Sequence, residues 1–559
     1  MELPHRALAR LTAALAAALL LLLPSAAGAA QLERPKSQTE PPRFFERSAR
    51  EVTRIASRAE KVQVERARGP LDSTAYTKGV GRWQVSFFRD GDEVAQVHVD
   101  DRSGAVLEQW TGHQVAWSMA RGYAGAFGRT LNAPYVWIPL CLLFLLPFLD
   151  FRRPYRLLHL DLLVLLGFGA SHVFFNRGEI GVSVPLAYPV LLYLLGRAIF
   201  AGLRPRERPG PLVPHVPLAW LMVGIVFLAA FRIGLNVVDS NVIDVGYAGV
   251  IGADRIVDGD PLYGEGFSDD VERGDTYGPL NYLLYVPFEQ ALPWSGAWDD
   301  LPAAHGAAIA FDLLAIGGLL LVGTRLRSGR EGRVLGVALA YAWAAFPYTA
   351  FVLESNANDT LVALACVGAL LGLAVRPAVG GAVSGAAIGL GTAAKLVPLA
   401  LVPLFARRSV LVFALTLAVT LAATVLPFVP DVGLRELYDR TVGYQAGRPS
   451  PFAIWGQLDL GPLHTIVKVA AVALAVLVAF VPRVPTPRQV AALGAAVLIA
   501  VQLAATHWFY LYVVWFVPFV LVAVFGAYRE RAAPPAPRRE LERDVPSGVG
   551  ATRSPLVRA

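Results

Sequence analysis

The sequence predicts a mainly α-helical, polytopic membrane protein that carries a small exported α+β domain near its N terminus. Of its 559 residues 55% are hydrophobic, and the mean hydropathy is +0.49, more apolar than an ordinary soluble domain. The apolar residues are gathered into runs such as 157–175, 216–230, 410–425 and 509–525. Runs of this kind approach or exceed the length that crosses a hydrocarbon core of roughly 30 Å at about 1.5 Å per residue. One long polar stretch, 31–132, stands apart from them.

The N terminus has a basic start at His5, Arg6 and Arg10, an apolar stretch over 11–23, and small residues at Ala27, Gly28 and Ala29. This is the pattern of a signal peptide over 1–30. An uncleaved first anchor helix is the alternative, and either way the chain from Gln31 is exported. The formal charge of +7 comes from short basic clusters between apolar runs, which set topology and do not form a nucleic-acid patch. Cys141 and Cys366 each lie inside an apolar run, so no disulfide is expected in the exported part.

Within 31–132, residues 48–68 read as helix, with Val52, Ile55 and Ala56 on one stripe. Trp83, Val85 and Phe87 alternate with polar residues, Asp90-Gly91-Asp92 makes a turn, and Val97 and Val99 continue the alternation toward a second turn at 101–104. A helix on a short antiparallel sheet follows. The order, with "WQVSFFRDGDEVAQVHVDDRSGAVLEQWTG", resembles a PepSY-type exported module, and the resemblance implies binding, regulation or assembly and no chemistry of its own.

Arginine placement folds the remainder through the membrane. Segment 134–149 enters to Arg152, Arg153 and Arg156; 157–175 exits; 180–203 returns to Arg204, Arg206 and Arg208; about 212–238 exits again. The loop 239–276 carries ten acidic residues and only Arg255 and Arg273, a balance allowed outside. If 277–293 spans the membrane, the basic cluster at 325–333 falls outside, against the rule. A re-entrant or surface piece is therefore preferred there. Segment 334–353 exits, 360–375 returns to Arg376, and 380–406, interrupted by Lys395 and Pro398, reads as a hairpin of two half-helices. Segment 409–429 exits, 463–481 returns to Arg483 and Arg488, the last pair turns outside at His507-Trp508, and the tail 529–559 is cytoplasmic and disordered. In outline, additional helices occupy 133–210 and a second membrane region occupies 211–528.

In this topology the polar motifs set among apolar helices all fall outside: "DSNVIDVGYAGVIGADRIVDGDPLYGEG", "TYGPLNYLLYVPFE", "ESNANDT", "GYQAGRPSPFAIW" and "HWFYLYVVWF". Ionisable groups at membrane depth are costly and usually functional. Together with the Lys395 half-helix, these motifs resemble the GT-C glycosyltransferases over about 212–528. The nearest branch is glycosyltransferase family 87, which includes polyprenyl-phosphate-mannose-dependent mannosyltransferases and arabinofuranosyltransferases of the actinobacterial envelope. The resemblance implies a lipid-linked donor, polyprenyl-phosphate sugar, and a glycan or glycolipid acceptor on the extracytoplasmic face of a bacterial plasma membrane. Mannose is favoured and arabinofuranose second. No metal and no cofactor besides the donor lipid are expected, and Asp258-Gly259-Asp260 is discounted as a glycine turn although it imitates a DxD motif.

The resemblance makes Asp244, followed shortly by Tyr247, the first choice of general base, with Asp239 second; a solvated acid is the bland alternative. Arg448 is expected to clamp the donor phosphate through its planar fork and Lys395 to act on it as a point charge, against headgroup contact and snorkelling. His507 is expected to hydrogen-bond phosphate or acceptor, while Trp508 and Tyr510 are expected as interfacial anchors. Asn358 and Asp359 bind sugar or cap the following helix, capping being the default. Tyr277, Asn281, Tyr444 and Gln445 are sugar or acceptor contacts on resemblance alone. The main rival is a lipid or solute transporter or flippase of the envelope, opposed by the absence of a second copy of the Asp244 loop or the Lys395 segment. A third reading makes the membrane part a scaffold for the exported domain.

Overall fold

The computed structural model describes residues 32–529 apart from 117, 123–128, 265–266, 268–272, 297–300, 449 and 459. The expected signal or anchor segment and the tail beyond Arg529 lie outside the described residues. A five-stranded antiparallel meander, β1 (Leu32–Glu33), β2 (Asp72–Lys78), β3 (Arg82–Arg89), β4 (Asp92–Asp100) and β5 (Val106–Thr111), pairs its strands in chain order. Arg89 pairs with Asp92 across Asp90-Gly91, both at positive φ, the two-residue turn whose twist matches the strands. Trp83, Val85, Phe87, Ala95, Val97 and Val99 bury one sheet face against Val52, Ala56 and Val62. These last belong to two helices, Ala49–Ala56 and Glu60–Arg66, where the sequence predicts one.

This module is docked on the membrane region. Gln114 Nε2 donates to the Gly178 carbonyl at 3.1 Å, and a Cβ on Gly122 would stand 2.1 Å from the Gly178 amide nitrogen. Thr130 N donates to Asp239 at 3.1 Å, and Ala120 and Leu131 are fully buried in the core of the membrane helices.

Among the described residues seven helices are long and apolar enough to cross a membrane: Leu157–Asn176, Ile180–Leu203, Leu218–Asp239, Pro302–Leu326, Pro377–Ala394, Val410–Phe428 and Pro487–Ala504. Gly329–Ala345 with Pro347–Glu354, bent by 56°, makes an eighth if taken as one span. Segment 277–293 is no span: it breaks into Pro279–Leu283 and Val286–Ala291, of five and six residues, far short of a hydrocarbon core. The expected hairpin of half-helices at 380–406 needs correction. Pro377–Ala394 has 18 residues, roughly 27 Å of helix. The interruption follows it, because Pro398 lacks an N–H and disfavours helical conformation at Val397; a 3₁₀ turn, Val397–Leu401, and the short helix Val402–Ala406 complete the return.

Arginines knit one end of the bundle. Arg327 donates to the Gly526 and Tyr528 carbonyls, Arg529 pairs with Glu207, Arg488 donates to the Arg206 carbonyl, Arg153 and Arg156 to the Pro209 and Pro211 carbonyls, and Arg407 to the Val478 and Pro482 carbonyls. Arg327, from the cluster whose side was in question, thus shares an end of the bundle with Gly526 and Tyr528, as a non-spanning 277–293 requires.

The bend at Phe346–Pro347 has a defined cause and a defined repair. Pro347 has no N–H for the Trp343 carbonyl four residues earlier. Arg232, fully buried on Leu218–Asp239, donates Nη1 to the Trp343 and Ala344 carbonyls at 3.1 and 3.0 Å. Its Nη2 meets Asp312 Oδ1 at 2.6 Å, which also takes Trp343 Nε1 at 2.8 Å. Removing one partner of a buried pair strands the other charge, at a cost of about 3–5 kcal/mol. Asp312→Ala is expected to lower the thermal unfolding temperature of the detergent-solubilised protein sharply, whereas Asp439→Ala, which breaks an exposed pair with Arg435, lowers it little.

Candidate functional site

At the end opposite the arginines, the strap 354–359 holds the segment that carries Asp244. Asn241 N donates to the Glu354 carbonyl at 3.0 Å and Ile243 N to the Ser355 carbonyl at 3.2 Å. Asn356, at φ +48°, donates Nδ2 to Ser240 Oγ and the Asn241 carbonyl at 3.0 and 2.9 Å, and accepts from Asn236 at 2.9 Å. Its own carbonyl lies 2.4 Å from where a Cβ on Gly246 would stand, so only glycine permits this approach. The chain then turns into the helix Asp244–Asp258, whose first residue is an acid where the helix dipole favours one.

The strap ends at Asp359. It stands at the start of helix Thr360–Gly372 but makes no side-chain cap, contrary to the capping expectation. Its Oδ1 instead takes Lys395 Nζ at 2.6 Å and Trp515 Nε1 at 2.8 Å. Lys395, released in extended conformation at the end of Pro377–Ala394, is ringed by Tyr277, Trp515 and Tyr512, 5.4, 5.7 and 6.0 Å from the ring centroids. Gly278 makes this possible: its N–H donates to the Ala394 carbonyl at 3.1 Å, and a Cβ there would overlap the Ala393 carbonyl at 2.0 Å.

These groups line one cavity of about 760 Å³. Seven of the expected residues meet there: Asp244, Asp359, Lys395, Arg448, His507, Tyr277 and Gln445. Its remaining wall is mostly apolar, with Leu421 and Val425 from Val410–Phe428, Leu437, Val501 and Leu511. Met119, from the segment that follows the N-terminal sheet, also reaches it. Asp244 is surface-accessible while enclosed by protein, because its open face is the cavity. That enclosure pushes its carboxyl above the usual carboxylate value, against the pull of Arg448 and then Lys395. Among the described residues Asp244 forms no salt bridge, whereas Asp359 is committed to Lys395.

His507 is held at Nδ1 by Ser450 Oγ, 2.8 Å away. Burial, with repulsion from Arg448 and Lys395, pushes its imidazolium down to about 3, so it offers hydrogen bonds and no charge at neutral pH. Arg448 lies over the Tyr444 ring at 5.8 Å.

Five expected residues are placed elsewhere. Asp239 is held by Thr130 and Arg129 of the connection to the N-terminal module. Tyr247 is buried against Trp294 at 6.0 Å. Asn358 Nδ2 donates to Asn281 Oδ1 at 2.6 Å, both buried; the pair braces the strap beneath the cavity. Tyr444 stacks between Arg448 and Arg273 outside the lining. Trp508 and Tyr510 are not interfacial anchors: they are 3% and 2% exposed, and Tyr510 OH meets Ser171 and Ser183 Oγ, each at 2.7 Å. Hydroxyls on two other helices outcompete the interface for it.

Three lining residues escape the sequence reading. Tyr512 and Trp515 sit in "HWFYLYVVWF", where aromatic residues also read as membrane anchors. Lys468 does carry a signal: it is the one charged residue in the helix Gly461–Leu477.

A cavity with one carboxylate that forms no salt bridge among the described residues, three cations (Lys395, Arg448 and Lys468) and an apolar flank suits deprotonation of a neutral nucleophile beside an anionic, partly apolar ligand. The model of glycosyltransferase family 87 matches residues 276–542, a stretch that holds Asp359, Lys395, Arg448 and His507. The match begins later than the expected 211–528 and leaves Asp239, Asp244 and Tyr247 before it. No curated protein matches the chain. Over residues 276–542 the chain is thus similar to glycosyltransferase family 87, and it carries several helices long and apolar enough to cross a membrane.

Proposed function

We propose that this glycosyltransferase transfers a sugar from a polyprenyl-phosphate donor to a glycan or glycolipid on the extracytoplasmic face, with Asp244 as general base. The observation that carries the reading is the inequality of the two cavity carboxylates: Asp359 is neutralised by Lys395, and Asp244 is left facing the cavity without a salt bridge. The acceptor hydroxyl attacks the anomeric carbon and yields its proton to Asp244. The bond from that carbon to the phosphate oxygen breaks, and its electron pair leaves with the polyprenyl phosphate, whose charge Arg448 and Lys395 offset. The positive-inside rule puts the arginine-knit end in the cytoplasm and the cavity outside, where nucleotide sugars are absent. Mannose is the favoured sugar and arabinofuranose the second. The PepSY-like module supports assembly of the site through Met119 and its contact with Asp239.

The purified protein in nanodiscs is tested with radiolabelled polyprenyl-phosphate mannose or arabinofuranose and an envelope glycolipid extract. Asp244→Asn is expected to lower kcat by about 10²–10⁴-fold while donor binding stays within a few-fold. No transfer by the wild type from either donor, or full activity in the variant, contradicts the reading.

The pH profile of kcat/KM provides a separate check. The base acts only when ionised, and burial raises its pKa. Activity is therefore expected to rise with pH along an acid limb placed above the ordinary carboxylate value of about 4. His507, already neutral down to about 3, adds no limb near 6.5, so a limb there that vanishes in His507→Asn contradicts this assignment.

A further inference from the structure

Lys468 is a third cation lining the cavity, after Lys395 and Arg448, and the donor chemistry above does not use it. It lies seven residues into Gly461–Leu477, roughly 10 Å along the axis, in a helix with no other charged residue. An ammonium at that depth is expensive unless it faces water or an anion. It is exposed, lines the cavity and has no salt-bridge or hydrogen-bond partner among the described residues.

Its helix and the cavity's other apolar flank leave a cleft. Val410–Phe428 packs on Pro377–Ala394, while Gly461–Leu477 packs on Pro487–Ala504, to which His464 Nε2 ties it through the Ala504 carbonyl at 2.9 Å. The two outer helices make no substantial contact with each other. Each buries a single side chain, Phe413 in one and Ala471 in the other. Both send side chains into the cavity: Leu421 and Val425 from the first, Lys468 from the second.

Resting on the lipid-donor reading, we propose that the polyprenyl-phosphate donor reaches the site sideways from the membrane through this cleft, and that Lys468 is the positioning residue that takes its phosphate there. The isoprenoid chain stays against the two apolar helices while the phosphate passes toward Lys395 and Arg448. Charge complementarity selects an anion at this depth, and the apolar walls select one attached to a long hydrocarbon.

The test uses the full chain in phosphatidylcholine nanodiscs with a photoreactive long-chain polyprenyl phosphate. Lys468→Met removes a charge from a lipid-facing helix and so does not hinder insertion. Wild-type adducts are expected on 410–428 and 461–477. Affinity is expected to fall about tenfold in Lys468→Met, the loss of one charge-assisted contact, and to return in Lys468→Arg. Unchanged affinity in Lys468→Met, adducts confined to other helices, or displacement of the probe by phosphatidylglycerol in a Lys468-dependent way would each overturn the proposal; the last assigns Lys468 to bulk headgroups. If the wild type binds no polyprenyl phosphate, the donor reading falls with it. If the wild type binds and transfers while Lys468→Met behaves identically, this inference alone falls.

Discussion

Lys395 and Asp359 meet 2.6 Å apart at the head of the helix bundle. Each would be costly there alone, and together they leave a dipole with aromatic rings around the cation. The pairing decides the chemistry of the cavity. It removes one of two carboxylates from contention as a base, fixes an ammonium where a phosphate can reach it, and brings the Tyr277 turn, the 354–359 strap and the last helix to one point. Asp244 is left as the cavity carboxylate with no salt bridge among the described residues.

The scaffold beneath follows from the same physics of unpaired groups in an apolar medium. Pro347 breaks a helix and frees two carbonyls, and Arg232 meets them while leaning on Asp312. That bend sets the direction of Pro347–Glu354 and therefore the position of the strap that follows. Asn356, Gly246 and Gly278 then allow backbones to approach at distances a Cβ would forbid. A defect in the helix ladder, repaired by a buried arginine, is thus converted into a rigid mount for both aspartates.

Much of this was legible in the sequence. Run lengths marked spans such as 157–175, 180–203 and 409–429, while 134–149, 360–375, 463–481 and 509–525 form shorter apolar helices; the arginine cluster at 325–333 pointed to the non-spanning 277–293. The alternation around Trp83 and the Asp90-Gly91 turn gave the N-terminal sheet. Seven of the expected site residues converge on the cavity because polar residues in an apolar context have few other reasons to be there. What failed has local causes. Asp239 and Asp244 are both acids after one helix, and only three-dimensional packing shows that Thr130 takes the first. Asp359 occupies a capping position yet bonds across to another helix. Trp508 and Tyr510 have anchor composition but find buried partners. The break after Ala394 was read at the right residues and the wrong helix length, since a glycine- and alanine-rich helix carries a weak apolar signal.

The central claim is that an unpaired Asp244 faces a lipid-linked phosphate held by Arg448 and Lys395. Cryo-electron microscopy of Asp244→Asn in nanodiscs with bound polyprenyl-phosphate sugar tests it most directly. The account predicts phosphate density in contact with Arg448 and Lys395, with the anomeric carbon turned toward residue 244. Density for the phosphate at the arginine-knit end, or in the cavity with the sugar turned away from residue 244, would contradict it.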